Sequence, residues 1–447
     1  MKSPIPDYLV QVLSECAPIS AGQVADYIPE LAQVDPNRFA LAVCTVDGKL
    51  YQVGDVGTTF TMQSISKPFT YALALQDRGL EAVLEKVDVE PSGEAYNEIS
   101  LERDTGRPLN PMINAGALAT YALLAGADDE HRQQRMLDFF STVAGRDLDL
   151  DQEVMDSELR TAFRNRGIAY LLRNADMISG DPAAVVDGYT AQCSVSVTTG
   201  DLAMMAATLA NGGFHPTTGA EVVDAAAVRQ TLSVMLTCGM YDSAGDWVTS
   251  VGIPAKSAVS GGIIGVLPGQ LGIAVYSPPL DQHGNSTRGV RVFEQLSDDM
   301  GLHIMSAPKT TFSVMYDAYL ADRRDADDQV SVYEIQGDIR FAGAERIARE
   351  LTDYIPQTEH VLIDLSRAGG FDEIAGRMAR EVIRRLMRHE DKQIYLVDPG
   401  GFLGERAEVE GRRRGSPEDG NGPYPTVLTR ATDLIVEPPA AETVPGY

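Results

Sequence analysis

Two pairs of apolar runs, one near the start of the chain and one beyond residue 250, constrain the fold most. Arg38 to Cys44 and Lys49 to Val53 are joined through Asp47-Gly48, the local signature of a tight hairpin. Ile263 to Leu267 and Leu271 to Tyr276 flank Pro268-Gly269 and read as buried strands. Between the pairs the pattern is helical, over Phe69 to Leu75, Glu81 to Leu84, Leu118 to Leu124 and Met136 to Val143, with glycine-rich breaks. An amphipathic helix, Val290 to Met300, follows. Strands at both ends and helices in the middle predict an α/β layered domain closed by its own two ends, within residues 1–307.

Beyond it, Ser313 to Leu320 reads as a helical connector and Arg323 to Asp328 as a solvated charge run, so 308–328 is expected to be a linker. Residues 329–447 form a second, smaller α/β unit. Its expected strands are Val330 to Ile335, Val361 to Leu365 and Gln393 to Val397, and its expected amphipathic helices are Ala342 to Tyr354 and Glu373 to His389. Gly400 to Pro425 is rich in Gly, Pro and charge, which predicts a disordered loop near 403–424.

Composition excludes several function classes. The chain has 447 residues, 44% of them hydrophobic, which suits a globular protein of two domains. Its 37 Lys and Arg against 64 Asp and Glu give a formal charge of -27, which opposes binding to phosphate backbones, so no nucleic-acid partner is expected. Met1 to Ala17 lacks a continuous apolar core, being interrupted by Asp7 and Glu15, and no run approaches the roughly 20 apolar residues of a membrane span. A cytoplasmic protein without a membrane partner is expected. Cys16, Cys44, Cys193 and Cys238 lie far apart and read as reduced, buried thiols. The six histidines form no ligand set, so no metal is expected.

The chemistry starts at Ser64-Ile65-Ser66-Lys67. On a helix, spacing i, i+3 puts the Ser64 hydroxyl and the Lys67 amine on one face, where the lysine can take the serine's proton. The lysine must be neutral to do so, which requires burial or a neighbouring positive charge. Pro68 places the tetrad at a helix start, where free N–H groups favour a developing oxyanion. Alone the tetrad is weak, because on the order of one or two arise by chance in a chain this long. Lys256-Ser257-Ala258 at the head of the late strands strengthens it, standing where penicillin-recognising serine enzymes carry Lys-Ser/Thr-Gly. That strand would lie beside the nucleophile, so the N–H groups of Ser64 and Val259 are the candidate oxyanion hole.

Longer motifs make the reading specific. Gln63 to Phe69 (QSISKPF), Asn110 to Ala117 (NPMINAGA), Cys238 to Asp242 (CGMYD), Pro254 to Ser257 (PAKS) and the segment from Met204 to Gly213 together resemble the serine-dependent glutaminase family over about residues 20–307. The resemblance implies a β-lactamase-like fold, an antiparallel sheet with helices. It implies hydrolysis of L-glutamine to L-glutamate and ammonia through an acyl-enzyme on Ser64, with Lys67 as general base. It places Asn114, Glu158, Asn165, Tyr189, Tyr241 and Val259 around the substrate, and implies a homodimer or homotetramer. The residue types suit glutamine: a carboxylate such as Glu158 answers the ammonium, while amides and hydroxyls answer the carboxylate or pass a proton. Tyr241 is expected to help protonate the departing ammonia. Glu158 and Asn165 lie seven apart in a segment that reads as helical. The family usually has glycine where this chain has Ala258, and the extra methyl is expected where strand and substrate approach closely.

Residues 329 to about 445 resemble a STAS domain, on Val330 to Gly337, Val361 to Ser366 and Phe371-Asp372-Glu373. Glu373 stands where anti-sigma antagonists carry a phosphorylatable serine, so a fixed negative cap at a helix start is implied. Such a domain implies a protein partner or self-association. Two rival functions stay open at this point. A β-lactamase or penicillin-binding-type hydrolase is disfavoured by the missing signal sequence and Ser-Asp-Asn motif. A non-catalytic glutamine sensor signalling through the second unit is disfavoured because pure binding needs no nucleophile and base.

Overall fold

Both pairs of apolar runs form antiparallel strand pairs, and they pair with each other. The computed structural model describes residues 5–94, 98–306, 314–353, 358–403 and 425–436. Two units divide the chain, Met1–Ala307 and Pro308–Tyr447. The described residues of the first hold seven strands: β1 (Ala40–Thr45), β2 (Leu50–Gly54), β3 (Phe60–Thr61), β4 (Ser196–Val197), β5 (Ala255–Ser257), β6 (Gly262–Leu267) and β7 (Leu271–Tyr276). Cys44 faces Leu50 across the first hairpin and Leu267 faces Leu271 across the second. Gly48 and Gly269 take positive φ, +83° and +75°, in the two turns, as the dipeptides predict. β1 then pairs antiparallel with β7, Ala42 opposite Ala274, giving the order β2-β1-β7-β6-β5.

The pleat of β1 explains the layers. Ala40, Ala42 and Cys44 join the large apolar cluster built with the helices between residues 66 and 238. Leu41 and Val43 point to the opposite face, among Leu9 and Val12 of the helix Ile5–Cys16 and Phe293 and Leu296 of the helix Thr287–Met300. The sheet is therefore apolar on both faces, and its strands read as continuous rather than alternating runs. Small residues on the inner face let the helix Thr199–Ala210 pack close. A side chain at Gly272 would begin 2.3 Å from the Ala207 nitrogen. The short β3–β4 pair ties the chain just ahead of Ser64 to the chain just after the helix Pro182–Cys193.

In the second unit, β8 (Met315–Asp322), β9 (Gln329–Ile339), β10 (His360–Phe371), β11 (Gln393–Val397) and β12 (Thr426–Leu428) form a sheet of order β12-β11-β10-β9-β8. Only the β8–β9 pair is antiparallel; the others run parallel. The helices Phe341–Asp353 and Glu373–His389 cover one face, setting Ile347, Leu351, Ile383 and Leu386 against Ile335, Ile363 and Leu365. Leu434 and Ile435 cover part of the other, with Val330 and Leu362.

Residues 315–322, read as part of a helical linker, are strand β8, and Arg323 to Asp328 is the turn into β9, closed by an Arg323–Asp328 ion pair at 2.8 Å. Ala, Leu and Met in this stretch favour a helix locally, and pairing with β9 overrides that preference. The expected disordered loop falls, at 404–424, outside the described residues. No helix among the described residues is long and apolar enough to cross a membrane.

Candidate active site

Ser64 lies in a short 3-10 turn, Gln63–Ile65, that runs directly into the helix Ser66–Arg78. The tetrad thus straddles a turn and a helix start rather than occupying one helix. The i, i+3 relation survives, because a 3-10 turn repeats every three residues. Pro68 takes the third helical position, where an N–H would have no partner within the helix. Gln63, immediately before Ser64, has φ +48°, a conformation that a non-glycine residue holds only when its surroundings enforce it.

Lys67 is 1% exposed, and its Nζ donates to Asn114 Oδ1 at 2.8 Å and to the Met112 carbonyl at 3.1 Å. Burial lowers its pKa from the ordinary 10.5 to about 8. The Asn110 to Ala117 motif builds this cradle. Asn110 Oδ1 accepts from the Met112 N–H at 3.0 Å and its Nδ2 donates to the Glu90 carbonyl at 2.9 Å, which shapes the approach to the helix Asn114–Ala122. Gly116 packs on the Asn110 carbonyl so closely that a Cβ would lie 1.8 Å from its oxygen. Asn114 in turn donates from Nδ2 to Asn165 Oδ1 at 3.1 Å, and its Oδ1 also accepts from the Tyr189 hydroxyl at 3.2 Å. Burial raises the Tyr189 pKa well above its usual value, so this hydroxyl remains a donor.

Glu158 and Asn165 belong to successive helices, Gln152–Thr161 and Phe163–Asn174, broken at Ala162, and not to the single helix their spacing suggested. The break lets both reach one cleft. Glu158 Oε1 accepts from the Tyr27 hydroxyl at 2.8 Å and from Gln63 Nε2 at 3.1 Å, and burial raises the pKa of the carboxyl. A cleft of ≈ 340 Å³, open to solvent, is lined by Ser64, Asn114, Glu158, Asn165, Tyr189 and Val259, together with Tyr27, Gln63, Arg164 and Cys193. That size suits a small-molecule ligand. Tyr27, Gln63, Arg164 and Cys193 escaped the residue-by-residue reading. Gln63 could have been found, since it opens the motif that holds Ser64. Tyr27 carries no local signal.

Lys67 and Tyr241 do not line the cleft. Lys67 reaches it through Asn114. Tyr241, with φ +57°, donates its hydroxyl to the Ser257 carbonyl at 3.1 Å. Lys256 Nζ donates to the same carbonyl at 2.8 Å and to that of Gly239 at 2.9 Å, and it lies 3.7 Å from the Tyr241 ring centroid. Burial, and then the charge of Lys67, push the Lys256 pKa well below its ordinary value. The Ala258 N–H donates to Gly262 O and the Gly261 N–H to Ala258 O, folding the segment after β5 into a tight turn that brings Val259 to the cleft. Ala258 itself is fully buried in the apolar cluster on the helical side and is not a lining residue. The methyl expected beside the substrate packs in this cluster, and Val259 is the residue of the turn that lines the cleft.

The Glutaminase family model matches residues 22–305. A glutaminase of Corynebacterium glutamicum is 48% identical over 402 residues, covering 90% of this chain and 95% of its own. One from Trichormus variabilis is 50% identical over 307 residues, 69% of this chain and 92% of its own. The crystal structure of Mglu has a TM-score of 0.81 at 43% identity, covering 90% of this chain and all of that one, and the probable glutaminase ybaS has 0.67 at 41% identity over 69% of this chain. The 402-residue likeness is longer than the first unit and so extends into the second. With Ser64, Lys67 and the motifs around them inside the matched stretch, the chain belongs to the glutaminase family.

Proposed function

We propose that the protein hydrolyses the side-chain amide of L-glutamine, giving L-glutamate and ammonia through an acyl-enzyme on Ser64. The observation that carries this reading is a cleft-lining serine followed three residues later by a buried lysine whose pKa falls to about 8. Neutral Lys67 takes the Ser64 proton as Oγ attacks the amide carbon. The N–H groups of Ser64 and Val259 hold the resulting oxyanion. Collapse of the tetrahedral intermediate breaks the carbon–nitrogen bond, and the proton taken by Lys67 leaves with ammonia, assisted by Tyr241. Water then adds to the ester and releases glutamate. Glu158 binds the α-ammonium; both of its hydrogen bonds fall on Oε1, so Oε2 is the oxygen assigned to substrate. Asn114, Asn165 and Tyr189 complete the polar wall. No cofactor takes part. Ser64→Ala and Lys67→Ala are each expected to abolish ammonia release from glutamine, and substantial turnover by either purified variant would overturn the assignment.

The second unit is read as STAS-like, supported by its mixed sheet with two helices on one face. Asp372 caps the helix Glu373–His389, accepting from the Ala375 N–H at 2.7 Å, and Glu373 adds fixed negative charge to the first turn. Its role is to bind a protein partner or to hold together a homodimer or homotetramer, in the cytoplasm. Deleting residues 308–447 is expected to change the number of chains per particle in solution or the glutamine turnover; if neither moves, both roles fall.

A further inference from the structure

Gln63 and Ser64 share one trans peptide, so the Gln63 carbonyl and the Ser64 N–H point in opposite directions. Whatever holds that carbonyl aims that N–H. The Gln63 oxygen accepts twice, from the Ser66 backbone N–H and from Ser66 Oγ at 2.6 Å, which fills both of its lone pairs. Ser66 Oγ has a single proton to give. Gln192 Nε2 donates to it at 3.1 Å, so the Ser66 proton is left to Gln63. The Gln192 amide is oriented in turn, because its Oε1 accepts from Thr70 Oγ1 at 2.9 Å. Ser66, Gln192 and Thr70 are at most 1% exposed, and none lines the cleft. Thr70 Oγ1 also lies 3.2 Å from the Ser66 carbonyl oxygen, so its proton is shared between two acceptors of the same cluster. In such a dry setting a lost partner leaves an uncompensated polar atom, so the cluster holds Ser66 Oγ on the Gln63 carbonyl. It is also attached to the one strained residue beside the nucleophile, Gln63 at φ +48°, which needs an external restraint to persist.

We propose that Ser66 and Gln192 are positioning residues that aim the Ser64 N–H at the developing oxyanion, acting through the Gln63–Ser64 peptide. The inference rests on the reading of Ser64 as nucleophile and oxyanion donor. A rotated peptide would weaken binding of the tetrahedral intermediate more than binding of the substrate's amino-acid end, which Glu158 and Asn165 hold from other helices and which meets this peptide only through the Gln63 side chain, whose Nε2 donates to Glu158 Oε1 at 3.1 Å.

The test uses the full-length protein with Ser66→Ala and Gln192→Met, measuring kcat and KM for glutamine. It also measures inhibition by L-glutamate and by a glutamine analogue carrying a boronic acid in place of the amide, which takes the serine oxygen into a tetrahedral adduct. Removing a whole oxyanion donor costs about 10²–10³ in kcat, so misaiming one in Ser66→Ala is expected to cost about 10–100-fold. The boronate should weaken by the same factor, with KM and L-glutamate inhibition within about twofold. Gln192→Met, nearly isosteric, should show the same split at about 3–10-fold, and it carries the test if Ser66→Ala does not fold. Wild-type kcat and boronate inhibition in the folded variants would overturn the proposal, as would equal weakening of all four constants. Ser64→Ala run alongside separates the two levels. If it is inactive while Ser66→Ala behaves as wild type, only this inference falls; if it retains turnover, the nucleophile reading falls with it.

Discussion

Lys67 Nζ sits 2.8 Å from Asn114 Oδ1, a contact that joins the buried amine to the amide lining the cleft. Asn114 is neutral, so it orients the amine without stabilising its charge as a carboxylate would. Because burial leaves the Lys67 pKa at about 8, kcat/KM should rise with pH below that value and level off above it. Asn114→Asp places a negative charge on the same atom, favours the ammonium and moves the rising limb upward. Each unit of that shift lowers the rate at neutral pH about tenfold. A limb that stays in place would remove Lys67 from the role of base.

The same burial makes Lys67 a cost to folding near neutral pH. Its pKa is lowered on folding, so between about 8 and 10.5 the unfolded chain holds a proton that the folded chain has released, and stability from this group rises with pH across that window. Below it the full penalty stands. Lys67→Met is expected to be inactive yet more stable than wild type at pH 7 by about 1–3 kcal/mol, with the gain shrinking toward pH 10. Denaturant titrations of both proteins across pH measure the difference; a gain that grows with pH would contradict the sign.

Glu158 receives hydrogen bonds from Tyr27 and Gln63, and no cation among the described side chains is recorded as its partner. A substrate ammonium fits that position. Glu158→Gln removes the charge and should raise KM for glutamine by about 10²-fold or more, while Tyr27→Phe, which removes only one orienting bond, should raise it by about threefold to tenfold. Steady-state kinetics with saturating glutamine decide it.

Gly116 has no room for a methyl, whose carbon would lie 1.8 Å from the Asn110 oxygen. Gly116→Ala must displace the turn that sets Met112 and Asn114 around Lys67. A loss of at least about 2–3 kcal/mol of stability is expected, together with most of the activity. Thermal unfolding that matched wild type would show that the turn can shift freely.

Ala258 lies in the core, so restoring the glycine that is usual in the family should act on stability and not on substrate fit. Ala258→Gly is expected to cost about 1 kcal/mol through lost packing and greater freedom of the unfolded chain, with KM within about twofold of wild type. A large fall in KM would show that the methyl does reach the substrate.

The hairpins, the helix over Glu373–His389 and the strand Gln393–Val397 were legible because period and turn chemistry are local properties. The strand at 315–322 was not, since its residues suit a helix and only the neighbouring β9 makes it a strand. The break at Ala162 was equally hidden: two amphipathic helices in sequence look like one long helix until packing separates them.

Sequence by itself determined that Ser64 and Lys67 stand side by side, because their spacing makes them neighbours in any helical turn, and that the flanking motifs belong together in one family. Tertiary structure alone decided what surrounds them. Tyr27 meets Glu158 across 131 residues of chain, Asn114 reaches Lys67 across 47, and Gln192 reaches Ser66 across 126. Periodicity says which way a side chain points and not what it will meet. Burial that holds a lysine near neutrality, and a peptide held by a buried amide, exist only once the sheet has brought the two ends of the domain together.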